Sequence, residues 1–409
     1  MLAETKRLFS GSEDKTIKVW DLEAGKETLT LRGHTHQVTS LALSADGKRL
    51  FSGGGGLLLQ GEIKVWDLEA GKEALTLRGH TGIVSSLALS RDGKRLFSGC
   101  WDRTIKVWDL EAGEQARTLP GRTDRLISLA LSADGKRLYS GSYDPTIKVW
   151  DLEAGKEALT LPGHAGPVHS LALSRDGKRL VSGGLDRTIK VWDLQAGTAT
   201  LTLRGHANAV RCLSLSGDGR RLVSGSGDQT IKVWDLEAGK ETLTLRGHTW
   251  EVGRLALSAD GKRLYSGSSD GNGTSSPGII KVWDLEAGKE TLTLRGHTGP
   301  VLSLVLSSDG KRLPSPLRTR LVTLSAQGGS FPGQLVHQVA VLQATQVRAA
   351  PLERGLAAEQ VETQQLLVGQ VGLHAVEHTI QLPLGDGEVA ARLFGFLPFD
   401  RLGGLGLFG

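Results

Sequence analysis

The chain has 409 residues, of which 39% are hydrophobic and 23% charged, and its formal net charge is +5. These proportions are typical of a soluble globular protein, and the lack of any run of about 18 apolar residues excludes a helical membrane span. The N-terminal sequence MLAETKRLFSG has an early acidic residue and no apolar segment, so we expect no secretory signal and a cytoplasmic location.

The two cysteines, Cys100 and Cys212, occupy unrelated positions and lack metal-ligand spacing. We therefore predict that both pack as small residues, with no disulfide and no bound metal. The repeats also contain no Gly-rich phosphate loop that opens a helix, so no cofactor is predicted.

From the N-terminus onward, the dipeptide Trp-Asp returns at a nearly constant interval. Its tryptophans are Trp20, Trp66, Trp108, Trp150, Trp192, Trp234 and Trp283. The interval is 42 residues through the middle of this array, 46 at its start and 49 at its end. A period near 42 with four short strand-like runs in each unit predicts a β-propeller.

The unit that begins at His164 shows the pattern of one repeat. VHSLALS reads as a first strand, RLVSG as a second, TIKVWD as a third and TLTLRGH as a fourth. The Asp-Gly and Ala-Gly pairs between them provide the positive φ that tight hairpin turns require. Each unit is therefore predicted to be a four-stranded antiparallel blade, with strands a to d in chain order.

These motifs, GH followed by S-x-DG and SGS-x-D-x-TIKVWD, resemble the WD-repeat (WD40) family over about residues 5 to 313. The resemblance implies an all-β propeller that holds other macromolecules on a rigid platform. The near identity of the units also resembles the recently amplified arrays that are common in bacteria.

The two ends of the array predict how the ring closes. Residues 7 to 32 supply strands b, c and d without a strand a, whereas residues 301 to 307 supply a strand a alone. Joining these pieces makes a seventh blade and leaves no free interface between blades. We therefore predict a monomeric, seven-bladed ring closed by its own termini.

The resemblance further implies a hydrogen-bonded chain across each blade. It joins the His of the GH dipeptide, a Ser on strand b, an Asp in the b–c turn and the Trp on strand c. Five complete sets are expected: His80, Ser98, Asp102 and Trp108; His164, Ser182, Asp186 and Trp192; His206, Ser224, Asp228 and Trp234; His248, Ser266, Asp270 and Trp283; and His297, Ser10, Asp14 and Trp20.

Two blades depart from this pattern. The blade after His34 has GGGGLLLQGE in place of the turn Asp, and the blade after Gly121 has Arg122 in place of the His. A buried group that loses its hydrogen-bond partner costs about 1 to 3 kcal/mol. We therefore expect these two blades to be the least stable.

The combination of His, Ser and Asp is also that of a catalytic triad. A nucleophilic Ser needs an exposed position beside oxyanion donors, whereas these serines lie within strands in five or more equivalent copies. Repetition around a ring favours a structural role. No kinase, protease or nucleotide-binding motif occurs either, so the sequence predicts no enzymatic activity.

The candidate binding site lies in the loops that break the repeat. By the resemblance, b–c turns and d–a loops share one face, here called the top face, and both insertions, Gly53 to Glu62 and Ser268 to Gly278, fall in b–c turns. Exposed Trp, Tyr and Arg are enriched in protein-binding hot spots. The predicted partner-binding residues are Trp101, Tyr143 and Leu185 on successive blades, the neighbouring Arg103 and Arg187, and the d–a loop residues His36, Arg125 and Trp250. Alternatively, Trp101 and Tyr143 only cover the channel mouth.

The composition changes after Lys311, the last lysine of the chain. The final 96 residues also lack Trp, Tyr, Cys, Met and Asn, and the sequence KRLPSP replaces the expected strand. We predict a propeller domain at 5–313 and a separate C-terminal region at 314–409. Val371 to Leu384 alternates weakly like a strand, but whether the region folds, is disordered or is the product of a frameshift stays open.

The leading interpretation is a non-enzymatic scaffold whose top face binds a protein or peptide. The alternative is a sensor or regulatory module of a signalling system, such as a kinase, whose catalytic part is on another chain. Nucleic acid is a less favoured partner because the cations recur beside Asp and Glu in nearly every unit. No membrane partner is predicted.

Overall fold

The structure, a computed structural model, describes residues 7–56, 60–119, 124–271 and 276–307, and the backbone of two strands at 373–384 and 387–398. The chain divides into two compact units, Met1–Arg320 and Leu321–Gly409. In the first unit, seven four-stranded antiparallel sheets form a ring. The predicted all-β, seven-bladed propeller is thus confirmed. The described residues contain no helix with the length and apolar character that a membrane span requires.

The strands follow the predicted order a to d in each blade. The chain begins with β1 (Arg7–Ser12), β2 (Ile17–Asp21) and β3 (Lys26–Leu31). Blade 1 contains β4 (Val38–Leu43), β5 (Arg49–Gly54), β6 (Gly61–Asp67) and β7 (Lys72–His80). Blade 2 contains β8 (Val84–Leu89), β9 (Arg95–Cys100), β10 (Ile105–Asp109) and β11 (Glu114–Leu119). Blade 3 contains β12 (Leu126–Leu131), β13 (Arg137–Ser142), β14 (Thr146–Asp151) and β15 (Lys156–Pro162).

The remaining blades repeat this arrangement. Blade 4 contains β16 (Val168–Leu173), β17 (Arg179–Gly184), β18 (Ile189–Asp193) and β19 (Thr198–Leu203). Blade 5 contains β20 (Val210–Leu215), β21 (Arg221–Ser226), β22 (Ile231–Asp235) and β23 (Lys240–Leu245). Blade 6 contains β24 (Arg254–Leu257), β25 (Arg263–Ser269), β26 (Gly278–Asp284) and β27 (Lys289–His297). Blade 7 combines β28 (Val301–Leu306) with β1, β2 and β3.

Blade 7 closes the ring as the sequence predicts. β28 pairs antiparallel with β1, with Ser10 opposite Leu304. The main-chain N–H of Arg7 also donates to the hydroxyl of Ser307 at 2.9 Å. Because one sheet contains strands from both ends of the repeat array, separating the ends would remove a whole set of ladder hydrogen bonds.

Apolar side chains pack between neighbouring blades. Phe9 and Val19 of blade 7, for example, form one buried cluster with Val38 and Trp66 of blade 1. The innermost strands a, which are β4, β8, β12, β16, β20, β24 and β28, contact one another all around the ring. They therefore form the wall of the central channel.

The second unit contains a hairpin of β29 (Leu373–Leu384) and β30 (Gly387–Pro398), with Leu373 opposite Pro398. A strand thus occupies most of the segment Val371 to Leu384 that alternates in the sequence. The other residues of 314–409 lie outside the described part of the chain, so the boundary at residue 313 and the frameshift hypothesis remain predictions.

Candidate functional site

The b–c turn and the d–a loop lie at the same end of a blade, and they are joined by a main-chain hydrogen bond. In each case the N–H of the residue before the turn Asp donates to a carbonyl of the d–a loop. These bonds join Trp101 to Ile83 at 3.0 Å, Tyr143 to Arg125 at 3.1 Å and Leu185 to Pro167 at 2.9 Å. The repeat therefore presents this variable position on the same face in successive blades.

Three of the predicted binding residues form one cluster, here called the Trp101 cluster. The rings of Trp101 and Tyr143 meet edge to face, with centroids 6.4 Å apart and planes at 89°. The guanidinium carbon of Arg125 lies 5.1 Å from the Trp101 ring centroid, which is a cation–π distance. The cluster joins the b–c turns of blades 2 and 3 through the loop between them.

The other predicted residues lie outside this cluster. Leu185, Trp250, Arg103 and Arg187 are exposed, and His36 shares a hydrogen bond of 2.9 Å with Thr35. Within the described residues, no ring contact or hydrogen bond joins any of these five to the Trp101 cluster. The structure thus brings together three of the eight predicted binding residues.

Four of the five expected hydrogen-bonded chains have the predicted connections. In blade 2, His80 Nδ1 lies 2.7 Å from the Asp102 carboxylate and its Nε2 lies 2.7 Å from Ser98 Oγ, which accepts from Trp108 Nε1 at 2.8 Å. The same bonds, all at 2.7 to 2.9 Å, occur in blade 4 (His164, Asp186, Ser182, Trp192), blade 5 (His206, Asp228, Ser224, Trp234) and blade 7 (His297, Asp14, Ser10, Trp20).

These chains explain two further features of the repeat. A side chain in place of Gly163 in the GH dipeptide would begin only 2.9 Å from the Trp192 ring, so this position requires glycine. Burial alone would raise the pKa of Asp228, but hydrogen bonds from Thr230 and His206 lower it to about 2. Burial also lowers the pKa of His206, with the Asp228 contact partly opposing that shift. The pair is therefore best described as a neutral imidazole beside a carboxylate at neutral pH.

In blade 6 the expected contact between His248 and Asp270 does not form. His248 Nε2 bonds Ser266 Oγ at 2.6 Å, and Ser266 accepts from Trp283, but Asp270 instead pairs with Arg295. The insertion lengthens the b–c hairpin, so that Ser269 pairs with Gly278 and the N–H of Asp270 donates to the carbonyl of Pro277. As a result, the Asp270 carboxylate lies away from His248. His248 Nδ1 is left buried with no partner among the described residues.

Blade 1 corrects the expectation that its chain lacks a carboxylate. Glu62, at the start of β6, is 3% exposed, and its Oε1 lies 3.0 Å from His34 Nδ1. Oε1 also accepts from the N–H of Thr35 at 3.0 Å, and His34 Nε2 lies 2.6 Å from Ser52 Oγ. In blade 3, Trp150 donates to Ser140 at 2.9 Å, whereas Arg122 lies outside the described residues.

Cys100 lies beside one of these chains, two residues from both Ser98 and Asp102. The Cys100 thiol, His80 and Asp102 offer three potential metal ligand atoms that lie within 4.8 Å of one another. Each already has a protein contact, because His80 and Asp102 bond each other and the Asp102 N–H donates to the sulfur at 3.3 Å. Burial raises the pKa of the thiol far above its usual range, so the group is best explained as packing.

Sequence reasoning missed Glu62 and a group of titratable residues beside the channel, namely His169, Arg211, Glu251 and Arg254. A signal for both was present. Glu62 stands where five of the other six units have the Thr of TIKVW, and Arg254 stands where most others have Ser. Both are departures from a nearly invariant repeat that fall on strands, whereas the predicted binding residues all lie in loops.

Comparison with known proteins agrees with the repeat pattern. The family "WD domain, G-beta repeat" matches eight segments, which are residues 3–21, 25–67, 71–109, 113–151, 155–193, 197–235, 239–272 and 288–322. Coronin-7 from Rattus norvegicus is 58% identical over 43 residues, or 10% of this chain and 5% of the relative. The Lissencephaly-1 homolog from Caenorhabditis briggsae is 54% identical over 43 residues, or 10% of this chain and 11% of the relative.

A third relative, ribosome assembly protein 4 from Chaetomium thermophilum, is 44% identical over 46 residues, which is 11% of this chain and 9% of the relative. The similarity to these three curated relatives thus spans about one tenth of their length or less. The family match, by contrast, covers most of the chain and coincides with the blades. The chain therefore belongs to the WD domain, G-beta repeat family.

Proposed function

We propose that this protein is a non-enzymatic scaffold that binds a protein or peptide on its top face, with the Trp101 cluster as the central contact. The observation that carries the proposal is the edge-to-face pair of a half-buried Trp101 and an exposed Tyr143, with the Arg125 guanidinium over the Trp101 ring. Tyr143 is 40% exposed although the chain is only 5% aromatic. A cytoplasmic, monomeric propeller is part of this proposal.

Residue chemistry supports a binding role for this cluster. Trp, Tyr and Arg are the residue types that dominate hot spots, because they provide large contact areas with few rotatable bonds and polar groups at their edges. The ring contact and the cation–π contact hold the three side chains in place before a partner arrives. A partner therefore loses less free energy to ordering this surface on binding.

The buried hydrogen-bonded chains do not support a catalytic role. Ser10, Ser98, Ser182, Ser224 and Ser266 are all 0% exposed, so no substrate reaches their hydroxyls. Each hydroxyl is also engaged by an indole N–H and an imidazole. Their function in this proposal is to hold the blades that present the top-face loops.

The test is affinity capture from a lysate of the native host, with the wild-type chain and a Trp101→Ala, Tyr143→Ala double variant compared by mass spectrometry. The matched control is Leu159→Ala, since Leu159 is 42% exposed and lies on β15, outside the predicted site. We expect the double variant to lose a protein that the wild type and the control both retain.

The thermal midpoint separates binding from folding. The ring contact contributes about 0.5 to 1.5 kcal/mol and the half-buried Trp101 adds the apolar area that it covers, so the midpoint should fall by several degrees while the protein stays folded. Identical captures by all three proteins would show that the cluster only covers the channel mouth. A double variant that unfolds together with its loss of binding would also contradict the proposal.

A further inference from the structure

The strands around the channel carry a β-bulge at one repeated position, and the residue there differs in every blade. Register shifts mark this position in six blades, at Thr39, Ser85, Ile127, His169, Arg211 and Leu302. The equivalent residue of blade 6 is Gly253, just before β24. A bulge leaves its residue out of the ladder and redirects its side chain. Variation at this one point of a nearly invariant strand therefore changes the channel wall without changing the blades.

Three successive blades place basic side chains on this wall. Blade 4 contributes His169, blade 5 contributes Arg211, and blade 6 contributes Arg254. Arg254 replaces a small residue, because the same position in the other blades is Ser40, Ser86, Ser128, Ser170, Cys212 and Ser303. Where Ser is present, its hydroxyl can accept the N–H of a Leu in the next blade, as Ser40 does from Leu87 at 2.9 Å. Arg254 cannot accept such a bond.

The contacts of Arg211 neutralise its charge. Its Nε and Nη2 lie 3.1 and 3.0 Å from Glu251 Oε2, and its Nη1 lies 3.3 Å from His169 Nε2. Burial, together with the charges of Arg211 and Arg254, lowers the pKa of His169 to about 4. At neutral pH this imidazole is therefore uncharged, and Nε2 is free of a proton and accepts from Arg211.

Arg254 has a different set of partners. Its Nε donates to the carbonyl of Leu302 in blade 7, and its Nη1 donates to the carbonyl of Gly253 at 2.6 Å. Among the described residues, no carboxylate lies within ion-pair distance of this guanidinium. The wall of blades 4 to 6 thus carries two arginines and one carboxylate, which leaves one positive charge without a counter-charge in a confined space.

We propose that this part of the channel is a binding site for a small oxyanion, a phosphate or carboxylate group. Arg254 supplies the counter-charge, and Arg211, held in position by Glu251 and His169, supplies further donors. The guanidinium fork suits oxyanions, and a channel that partly excludes water strengthens the attraction. The site lies on blades 4 to 6, whereas the Trp101 cluster lies on blades 2 and 3, so neither proposal depends on the other.

The test is a titration of the full chain with inorganic phosphate and, separately, with trifluoroacetate, a carboxylate that stays ionised where His169 titrates, at constant ionic strength. The readout is the pKa of His169 by NMR, its resonance being assigned with His169→Gln. A bound anion favours the imidazolium, so we expect the pKa of His169 to rise at millimolar anion while that of His206 is unchanged. Binding of either anion supports the site, and the tighter of the two identifies the group.

The variants separate an anion site from a purely structural role of Arg254. Arg254→Ser restores the repeat residue and should weaken binding by about tenfold or more. The matched control is Arg179→Ala. Arg179 also donates to a carbonyl of the next blade, that of Gly219 at 3.0 Å, but Gly219 lies in an a–b turn and not in the proposed site. If Arg254→Ser does not fold, Arg211→Ser serves as the second variant. No pKa change in the wild type, or an equal change in wild type and variant, would overturn the proposal.

Discussion

The carboxylate of Glu62 lies 3.0 Å from Nδ1 of His34, in the place that a turn Asp occupies in blades 2, 4, 5 and 7. Glu62 does not come from the turn. It lies on β6, at the position of Thr104 in blade 2, and its longer side chain reaches the imidazole from there. A second oxygen lies 3.8 Å from the ammonium of Lys64. In blade 1, Glu62 thus takes the place of both the turn Asp and the strand c Thr of blades 2, 4, 5 and 7.

We predict that Glu62→Ala destabilises the protein by about 3 kcal/mol. The change leaves the buried His34 Nδ1 and the N–H of Thr35 without their acceptor, and it removes a carboxylate beside the buried Lys64. The measurement is the free energy of unfolding by urea. Glu69→Ala is the control, because Glu69 pairs with Lys48 on the exposed surface and should change stability by less than about 1 kcal/mol. Equal effects of the two substitutions would contradict the assigned role.

Blade 6 offers the reciprocal experiment. Ile279 occupies the position of Glu62, because Gly278 pairs with His297 as Gly61 pairs with His80. We expect Ile279→Glu to place a carboxylate beside the buried Nδ1 of His248, which has no partner among the described residues, and to raise stability by about 1 kcal/mol. Burial lowers the pKa of His248 to about 4 in the wild type. A new carboxylate should raise that pKa, which NMR would detect.

The control for this gain is Ile279→Thr, which introduces the residue that blade 2 carries as Thr104 but adds no charge. It should lower stability and leave the pKa of His248 near its wild-type value. A loss of stability in Ile279→Glu with an unchanged His248 pKa would show that the two positions are not equivalent.

Blades 1 and 6 show which features of the fold the sequence predicts and which it does not. The period of Trp-Asp and the split between the ends of the array were enough to predict seven blades and their closure, because strand pairing depends on backbone pattern and length. The partners of His34 and His248 were not predictable in the same way. An insertion changes where a turn residue lies, and a longer side chain on a strand can take its place.

The top face shows the same limit. Position in the repeat identified Trp101, Tyr143 and Arg125 as loop residues, but it does not reveal that these three side chains meet while Leu185 and Trp250 lie apart. The departure of Arg254 from the repeat is visible in the sequence, but the sequence does not show that a β-bulge at Arg211 brings its guanidinium to Glu251 and His169.

We predict that stability falls in two stages as the solution becomes acidic. The pKa of His248 is about 4 in the folded protein against an ordinary 6.5, so the unfolded chain takes up a proton first and stability declines from about pH 6.5 to pH 4. The pKa of His169 is also lowered to about 4, so its protonation in the unfolded chain reduces stability over the same pH range. The pKa values of Glu62 and Asp228 are lowered to about 2, so their contribution is complete above their ordinary values and is lost as the pH falls towards 2.

Unfolding by urea at a series of pH values measures both stages. The Ile279→Glu variant is the internal comparison, because a raised pKa of His248 should reduce the first stage by up to about 3 kcal/mol and leave the second stage in place. Constant stability of the wild type between about pH 6.5 and pH 4 would contradict the buried, neutral state of these histidines.

A last prediction concerns Arg117, the one departure from a leucine at its position on strand d. In the other blades this leucine packs against the c–d turn glycine of the next blade, as Leu75 does at Gly113. Arg117 instead lies against Gly155, donates to the carbonyl of Leu152 at 3.4 Å and shares a groove with Arg91 and Arg95.

Arg117→Leu should therefore raise the free energy of unfolding by up to about 1 kcal/mol, since it restores apolar contact. It also removes one of four cationic side chains from a groove that has three carboxylates, those of Asp92, Asp134 and Glu153. The reverse exchange, Leu159→Arg on the next blade, should lower it by a similar amount, because Leu159 packs against Gly197 in the usual way. Both are measured by urea unfolding at low and high salt. The charge contribution should shrink at high salt while the packing contribution persists, so a gain that disappears entirely with salt would show that Leu at this position adds no packing.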